Sequence, residues 1–289
     1  MELKDDFKAS FEKKAERHRM WKESGGKIGE RFVMTENLEN AVIKKTLPLT
    51  QGVFVSRKIS NVTFENMMLS DVLFLNCELD NVTFLNTDLC SATFYNVTMN
   101  DCKFSGCMAK NLFIKQSVLS GVYFYDSDLE NAKFSDLRIN KSKFEHIRAS
   151  FCSFCYLTID DCALHDVKFA KGYFNTLDLK CTNYTDVIFD SSTFVMTEIS
   201  ESEFLKCSLR NTYFTECMIS CRYYAANFDG ASFEDCDATI SGDANLNKAS
   251  FDGMSYREYK EDRRRECPGI LNTYLKENKL LDAVLPQSE

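Results

Sequence analysis

From Phe54 onward a large apolar side chain returns at every fifth residue: Phe54, Ile59, Phe64, Leu69, Phe74, Leu79, Phe84, Leu89, Phe94, Met99, Phe104. The step holds to Tyr224, 35 registers in succession, and only Ala109 and Ala149 among them are small. Two places before the register the residue is nearly always small or β-branched, as at Val62, Val72, Cys77, Val82, Thr87, Ala92, Val97, Cys102 and Cys107. Helices repeat every 3.6 residues and strands every 2, so neither produces this pattern. A chain that turns a corner every five residues does, with one large and one small side chain of each unit pointing at a common axis.

A second period is laid over the first. Of the 18 registers ending in 4 between Phe54 and Tyr224, 14 are Phe and 2 are Tyr, whereas registers ending in 9 are mostly Leu, Ile or Met. The tandem units Asn61–Glu65 (NVTFE), Asn81–Leu85 (NVTFL) and Asn131–Ser135 (NAKFS) resemble the pentapeptide-repeat family. The resemblance spans about residues 54–256. It implies an all-β solenoid, a right-handed four-sided β-helix in which four pentapeptides make one coil, here of about ten coils. Two opposite faces then contribute Phe to the axis and the other two contribute aliphatics, which fills the interior without voids. Phe64, Phe74, Phe84, Phe94, Phe104, Phe124, Phe134, Phe144 and Phe154 are the expected structural core. Burial of each ring is worth about 1.5–3 kcal/mol.

The step falters after Tyr224, where Phe228 and Phe233 follow at shorter spacing and Arg222 takes what should be a small inward position. A bulge is expected at 221–227 and a loop over the Ser-, Gly- and Asp-rich stretch 238–245. Three domains follow: an N-terminal helix and connector over 1–50, the repeat body over 51–256, and a helical cap over 257–289. Residues 4–23 space Phe7, Phe11, Ala15, His18 and Trp21 as one helix face, and Ser24-Gly25-Gly26 ends it. Residues 27–50 read as an irregular connector. At the far end, 256–266 is a charged helix, and Pro268 opens a second with Ile270, Leu271, Leu275, Leu281 and Val284 on its apolar face. Solenoids need such caps to cover their open ends. The C-terminal pair also offers a route to a homodimer, which relatives in the resembled family display.

Composition narrows the function. The chain holds 24 Phe and 13 Cys but only 3 Pro and 1 Trp, and its net charge is −8. Residues 54–256 carry 17 Lys and Arg against 27 Asp and Glu, which disfavours direct contact with nucleic acid. No apolar run is long enough to span a membrane, and the charged opening MELKDDFKAS has no leader character. The expected location is a bacterial cytoplasm, or a host cell reached without a cleaved signal. Eight cysteines (Cys77, Cys102, Cys107, Cys152, Cys162, Cys207, Cys217, Cys236) fall on the small inward position, where a free thiol acts as a small hydrophobe. Cys152 and Cys155 match a C-x-x-C motif, but the register sends one in and the other out. His146 falls at a corner and His165 on an outer face, with no cysteine at ligand spacing. The tripeptides NVT at 61, 81 and 96 arise from the repeat itself. No catalytic, cofactor or metal site is expected, and the protein reads as no enzyme.

Function is therefore expected on the outer surface. Beside the registers Phe54, Phe74, Phe94 and onward to Phe214, nine of 18 outward residues are large and apolar: Val53, Val55, Leu73, Leu75, Tyr95, Phe113, Tyr173, Val195 and Tyr213. On the next face only Val118 and Met218 are. Long apolar stripes mark interaction surfaces, although outward Val and Tyr also favour strands on their own account. Leu73, Leu75, Tyr95, Phe113, Tyr173, Val195 and Tyr213 are the expected contacts of a partner protein. The resemblance implies two roles for such a scaffold: a bacterial effector acting on a host protein, or a DNA mimic that binds a type II topoisomerase. Asp229, Glu234, Asp235, Asp237, Asp243 and Asp252, clustered against Lys248 alone, suit the second.

Overall fold

At each corner the backbone enters the left-handed region. Asn61, Asn66, Asp71, Asn76, Asn81 and Asn86 have φ between +49° and +56°, and the same conformation returns every fifth residue along the chain. Gly tolerates it because it has no Cβ to meet the following carbonyl, and Asn and Asp because their short polar side chains hydrogen-bond locally. Each corner redirects the chain; the four residues between corners supply short strands of about three residues, and the eight-residue strands, such as Lys58–Glu65, run through a corner. This computed structural model describes residues 5–34, 36–44 and 49–252, and the side chains of 9–34, 36–44, 49–240 and 242–252. The chain divides into two compact units, Met1–Ser153 and Phe154–Glu289. Both are parallel β-solenoid, about 11 turns in all, and the single helix among the described residues stands at the N-terminus.

In the first unit, helix α1 (Asp5–Glu23) packs Phe11, Ala15 and His18 against the first coil. It ends where Gly25 and Gly26 take φ of +63° and +86°, a left-handed stop that glycine makes without strain. The segment after it is not the irregular connector expected over 27–50. Strands Val33–Met34 and Leu38–Lys44 pair in parallel with Val53–Phe54 and Ile59–Glu65, so a coil is already in place there. Its apolar residues, Phe32, Met34, Leu38, Ala41 and Ile43, are buried, but their spacing departs from the strict step of five.

From Val53 the ladder advances by twenty: Val53 pairs with Leu73, Leu73 with Thr93, Thr93 with Phe113 and Phe113 with Lys133. Identical registers therefore lie one above another. Phe54, Phe74 and Phe94 stack face to face with centroids 4.6 Å apart, and Phe64, Phe84 and Phe104 do so at 5.2 and 4.8 Å. The two columns meet edge-on across the axis, Phe74 against Phe84 at 6.0 Å and 85°, an arrangement the ring quadrupole favours. Phe64, Phe74, Phe84, Phe94, Phe104, Phe124 and Phe134 are 0–1% exposed, Phe144 3%. Small inward residues serve a second purpose. Thr87 Oγ1 donates to Phe64 O at 3.0 Å and Cys77 Sγ to Phe54 O at 3.4 Å, which satisfies their own polar atoms inside the core. The asparagines of the NVT tripeptides also bridge coils: Asn81 Nδ2 donates to Asn61 Oδ1 and Asn96 Nδ2 to Asn76 Oδ1.

In the second unit the same ladder runs from Tyr173 to Thr193 to Tyr213. Phe154 is 4% exposed and stacks on Phe174 at 5.5 Å. Later coils shorten: Tyr213 pairs with Ser232 and Ser232 with Ser250, offsets of 19 and 18 residues. The register shifts opposite Ser200–Ser202 and again at Tyr224–Ala226. This corrects two inward assignments. Tyr224 faces out at 44% exposure and Tyr223 fills the core beneath it at 2%, while Arg222 points outward and Cys221 takes the small inward site. The expected loop over 238–245 is also absent, because Asp237–Asn245 is a strand paired with Met218–Asn227, in register but for the bulge at Ala225. Gly242 makes that pairing possible. A Cβ there would meet the Tyr223 carbonyl at 2.1 Å. The expected helices over 256–266 and from Pro268 lie outside the described residues.

Candidate functional face

In the first unit the candidate residues are brought together on four consecutive coils. Strands Val53–Val55, Leu73–Leu75, Thr93–Tyr95 and Phe113–Ser120 lie side by side in register. Val53, Leu73, Thr93 and Phe113 form one outward column, and Val55, Leu75, Tyr95 and Lys115 the other. All are half-buried, because each is flanked by its counterparts in the coils above and below. The result is a continuous, nearly flat apolar patch rather than a set of protruding anchors.

In the second unit Tyr173 and Tyr213 stand further out, at 43% and 56% exposure, on either side of Thr193, while Val195 is half-buried. The contrast with the neighbouring face is less sharp than the sequence suggested. In the first unit Val118 is exposed on the neighbouring face, Tyr125 on the third and Met68 and Met108 on the fourth; in the second unit Met218, Leu205 and Tyr224 are exposed on faces other than that of Tyr173. Corner positions add Phe151, Tyr156 and Met196, all half or more exposed. Sequence reasoning passed over these corners because it followed only the residues flanking each inward register. A large residue at the position where Asn, Asp or Gly usually sits was the available signal.

Chemistry on the surface is sparse. Among the described residues no group of three His, Cys, Asp or Glu could hold a metal ion, and no helix is long and apolar enough to cross a membrane. His146 sits at a corner with φ +55°, and His165 reaches Asp186 at 3.9 Å. All twelve described cysteines are free thiols. Burial pushes Cys102 and Cys207 up to about 12 and Cys107 up to about 11, which keeps them protonated and inert. Cys152 is buried and Cys155 half-buried, so the C-x-x-C pair faces opposite ways. Two charged networks cross coils: Lys58 bridges Glu78 and Asp80, and Lys110 bridges Asp128 and Glu130. Lys103 lies 5.4 Å over the Tyr123 ring, whose hydroxyl donates to Glu145.

A family model for the SV2A/B/C luminal domain matches residues 53–144. No curated protein matches the chain. Solved structures similar to it include full-length QnrB1, a plasmid-mediated fluoroquinolone resistance protein, 16% identical with a TM-score of 0.25, over 86% of this chain and 99% of that one. HetL, a pentapeptide repeat protein involved in heterocyst differentiation regulation in the cyanobacterium Nostoc sp., is 17% identical with a TM-score of 0.19, over 82% and 89%. The A-module of the Azotobacter vinelandii mannuronan C-5 epimerase AlgE4 is 10% identical with a TM-score of 0.23, over 74% and 87%. Pentapeptide-repeat proteins thus stand among the structural neighbours, at identities and scores too low to speak of a binding partner.

Proposed function

We propose that this protein is a non-enzymatic scaffold that binds another protein through the apolar patch of its first unit. The observation that carries this reading is the ladder Val53, Leu73, Phe113 beside Val55, Leu75, Tyr95, six large apolar side chains in registered contact with solvent. Contiguous apolar area of this kind is uncommon on a monomer and marks interaction sites. Tyr173, Val195 and Tyr213 offer a second apolar surface on the second unit. The titrations of Cys102, Cys107 and Tyr184 are raised by burial within the core. They are positioned for packing, not for proton transfer.

The test begins with capture of a partner from bacterial and host-cell lysates on the immobilised chain, identified by mass spectrometry. Replacement of Tyr95 and Phe113 by Ala should then weaken that complex at least ~10-fold, since aromatic anchors at an interface cost about 2 kcal/mol or more when truncated. Glu78→Lys, on the neighbouring face, should leave it unchanged. The opposite pattern would move the interface to the charged face.

A further inference from the structure

A groove of about 480 Å3 runs along the second unit at the corner that follows Tyr156, Met196 and Glu216. Its other side is formed two residues further on, by Asp178, Glu198 and Met218. Tyr156, Met196 and Met218 are 58%, 50% and 58% exposed, so the walls are apolar and open. Three carboxylates line it and no Lys or Arg does, and a smaller continuation past Met218 adds Asp237.

One detail separates this groove from an ordinary solvated face. Asp178 Oδ1 is closed off from solvent yet has no hydrogen-bond partner among the described residues, its other oxygen reaching Lys180 at 3.2 Å. An acceptor in that state is unfavourable until a donor arrives.

We propose that the groove binds a basic, apolar segment of a partner protein, the alkyl stem of a Lys or Arg lying across Met196 and Met218 and its cationic head on Asp178 and Glu198. Met is deformable enough to accept such a stem, and long cationic side chains bury their methylenes while keeping the head polar. Asp178 and Glu198 are registered partners on adjacent coils, about 4.8 Å apart along the stack, a separation one guanidinium or two neighbouring ammonium groups can bridge. Lys180, beside the groove, already pairs with Asp178 at 3.2 Å, which leaves the lining acidic by about two charges rather than three. This inference rests on the scaffold reading and adds a second surface with a stated partner chemistry. A scaffold that used only its first-unit patch would pass the test above and fail the one below.

The test uses the full chain and a fluorescein-labelled octapeptide, Gly-Leu-Lys-Leu-Arg-Leu-Lys-Gly, with binding read by fluorescence anisotropy. Asp178→Asn with Glu198→Gln should weaken binding at least ~10-fold, in line with the strength of charge-assisted contacts. Met196→Ala with Met218→Ala should weaken it by a smaller factor, and the same peptide with Glu for each Lys and Arg should not bind. Glu201→Gln with Glu203→Gln removes equal charge elsewhere and should change affinity less than ~2-fold. The proposal is overturned by equal loss in that control, by indifference to the Met variant, or by no binding of the basic peptide. Tighter binding on replacing Arg263, Arg264 and Arg265 by Ala would assign the groove to the chain's own C-terminal segment and overturn it as well.

Discussion

The ring of His18 joins helix α1 to the first coil: its Nδ1 accepts a hydrogen bond from the Phe32 N–H at 2.9 Å. With Nδ1 an acceptor, Nε2 carries the proton and donates to Thr50 O at 2.8 Å. Both nitrogens are thus engaged by backbone, in a site with no solvent exposure.

This fixes the pH dependence of the cap. Burial, with Lys22 and Arg31 nearby, holds the His18 pKa below its ordinary value. Protonation would remove the acceptor that Phe32 needs. The folded pKa is lower than the unfolded one, so the contribution of His18 is complete above the ordinary value of about 6.5 and is lost as pH falls through the folded value. Trp21, the only Trp of the chain, stacks on His18 at 5.5 Å and 17°. Its fluorescence should therefore change as pH falls below the ordinary imidazole value of about 6.5, while the β-sheet circular dichroism holds. In His18→Leu the fluorescence should be flat across the same range.

Inward and outward aromatics should answer truncation differently. Phe134 is 1% exposed, and Phe134→Ala should cost about 3–5 kcal/mol through the cavity it leaves. Tyr95→Ala, on the outer face, should stay within about 0.5 kcal/mol. Chemical denaturation midpoints of the two variants compare them directly, and equal midpoints would contradict the assignment of faces.

Thiol chemistry should sort the cysteines by position. At about pH 8, Cys155 should label first in the native state and the inward cysteines only on unfolding. Cys181 is exposed, but its hydrogen bond to Glu201 at 3.4 Å raises its pKa, so it should react slowly for its accessibility. Glu201→Gln should speed it. Mass spectrometry of timed labelling resolves each site.

One corner should be improvable. Thr176 is β-branched and exposed, with φ of +54°, a conformation that Asn adopts far more readily. Thr176→Asn should raise stability by roughly 1 kcal/mol through relief of the left-handed strain, measurable as a shift of the denaturation midpoint.

The five-residue step was legible because burial enforces it: a charged residue at Phe74 or Leu79 would have no solvent to reach. The coil ends were legible less well, for reasons that particular residues show. Leu38 and Ile43 line a coil whose spacing is looser, since helix α1 and not another coil lies beyond it. Tyr223 displaced Tyr224 because a 19-residue coil closes one residue early, and nothing in two adjacent tyrosines reveals which turns inward. The stretch around Gly242 has the composition of a loop, yet the ladder formed by Tyr223 and its neighbours imposes a strand on it. Outward direction at Leu73 and Tyr95 followed from register. Their degree of exposure did not, being set by Val53 and Thr93 beside Leu73 and by Leu75 and Lys115 beside Tyr95, each twenty residues away.

That twenty-residue offset also governs how the units assemble in time. Every contact between Val53, Leu73, Thr93 and Phe113 closes a chain segment of one length, so no coil waits on a distant pairing. Loop-closure entropy is nearly constant from coil to coil. Folding within a unit can begin at any adjacent pair and propagate in both directions as a one-dimensional zipper. Its speed is then set by the weakest junction rather than by chain length, and the 19- and 18-residue coils after Tyr213 are where propagation should slow.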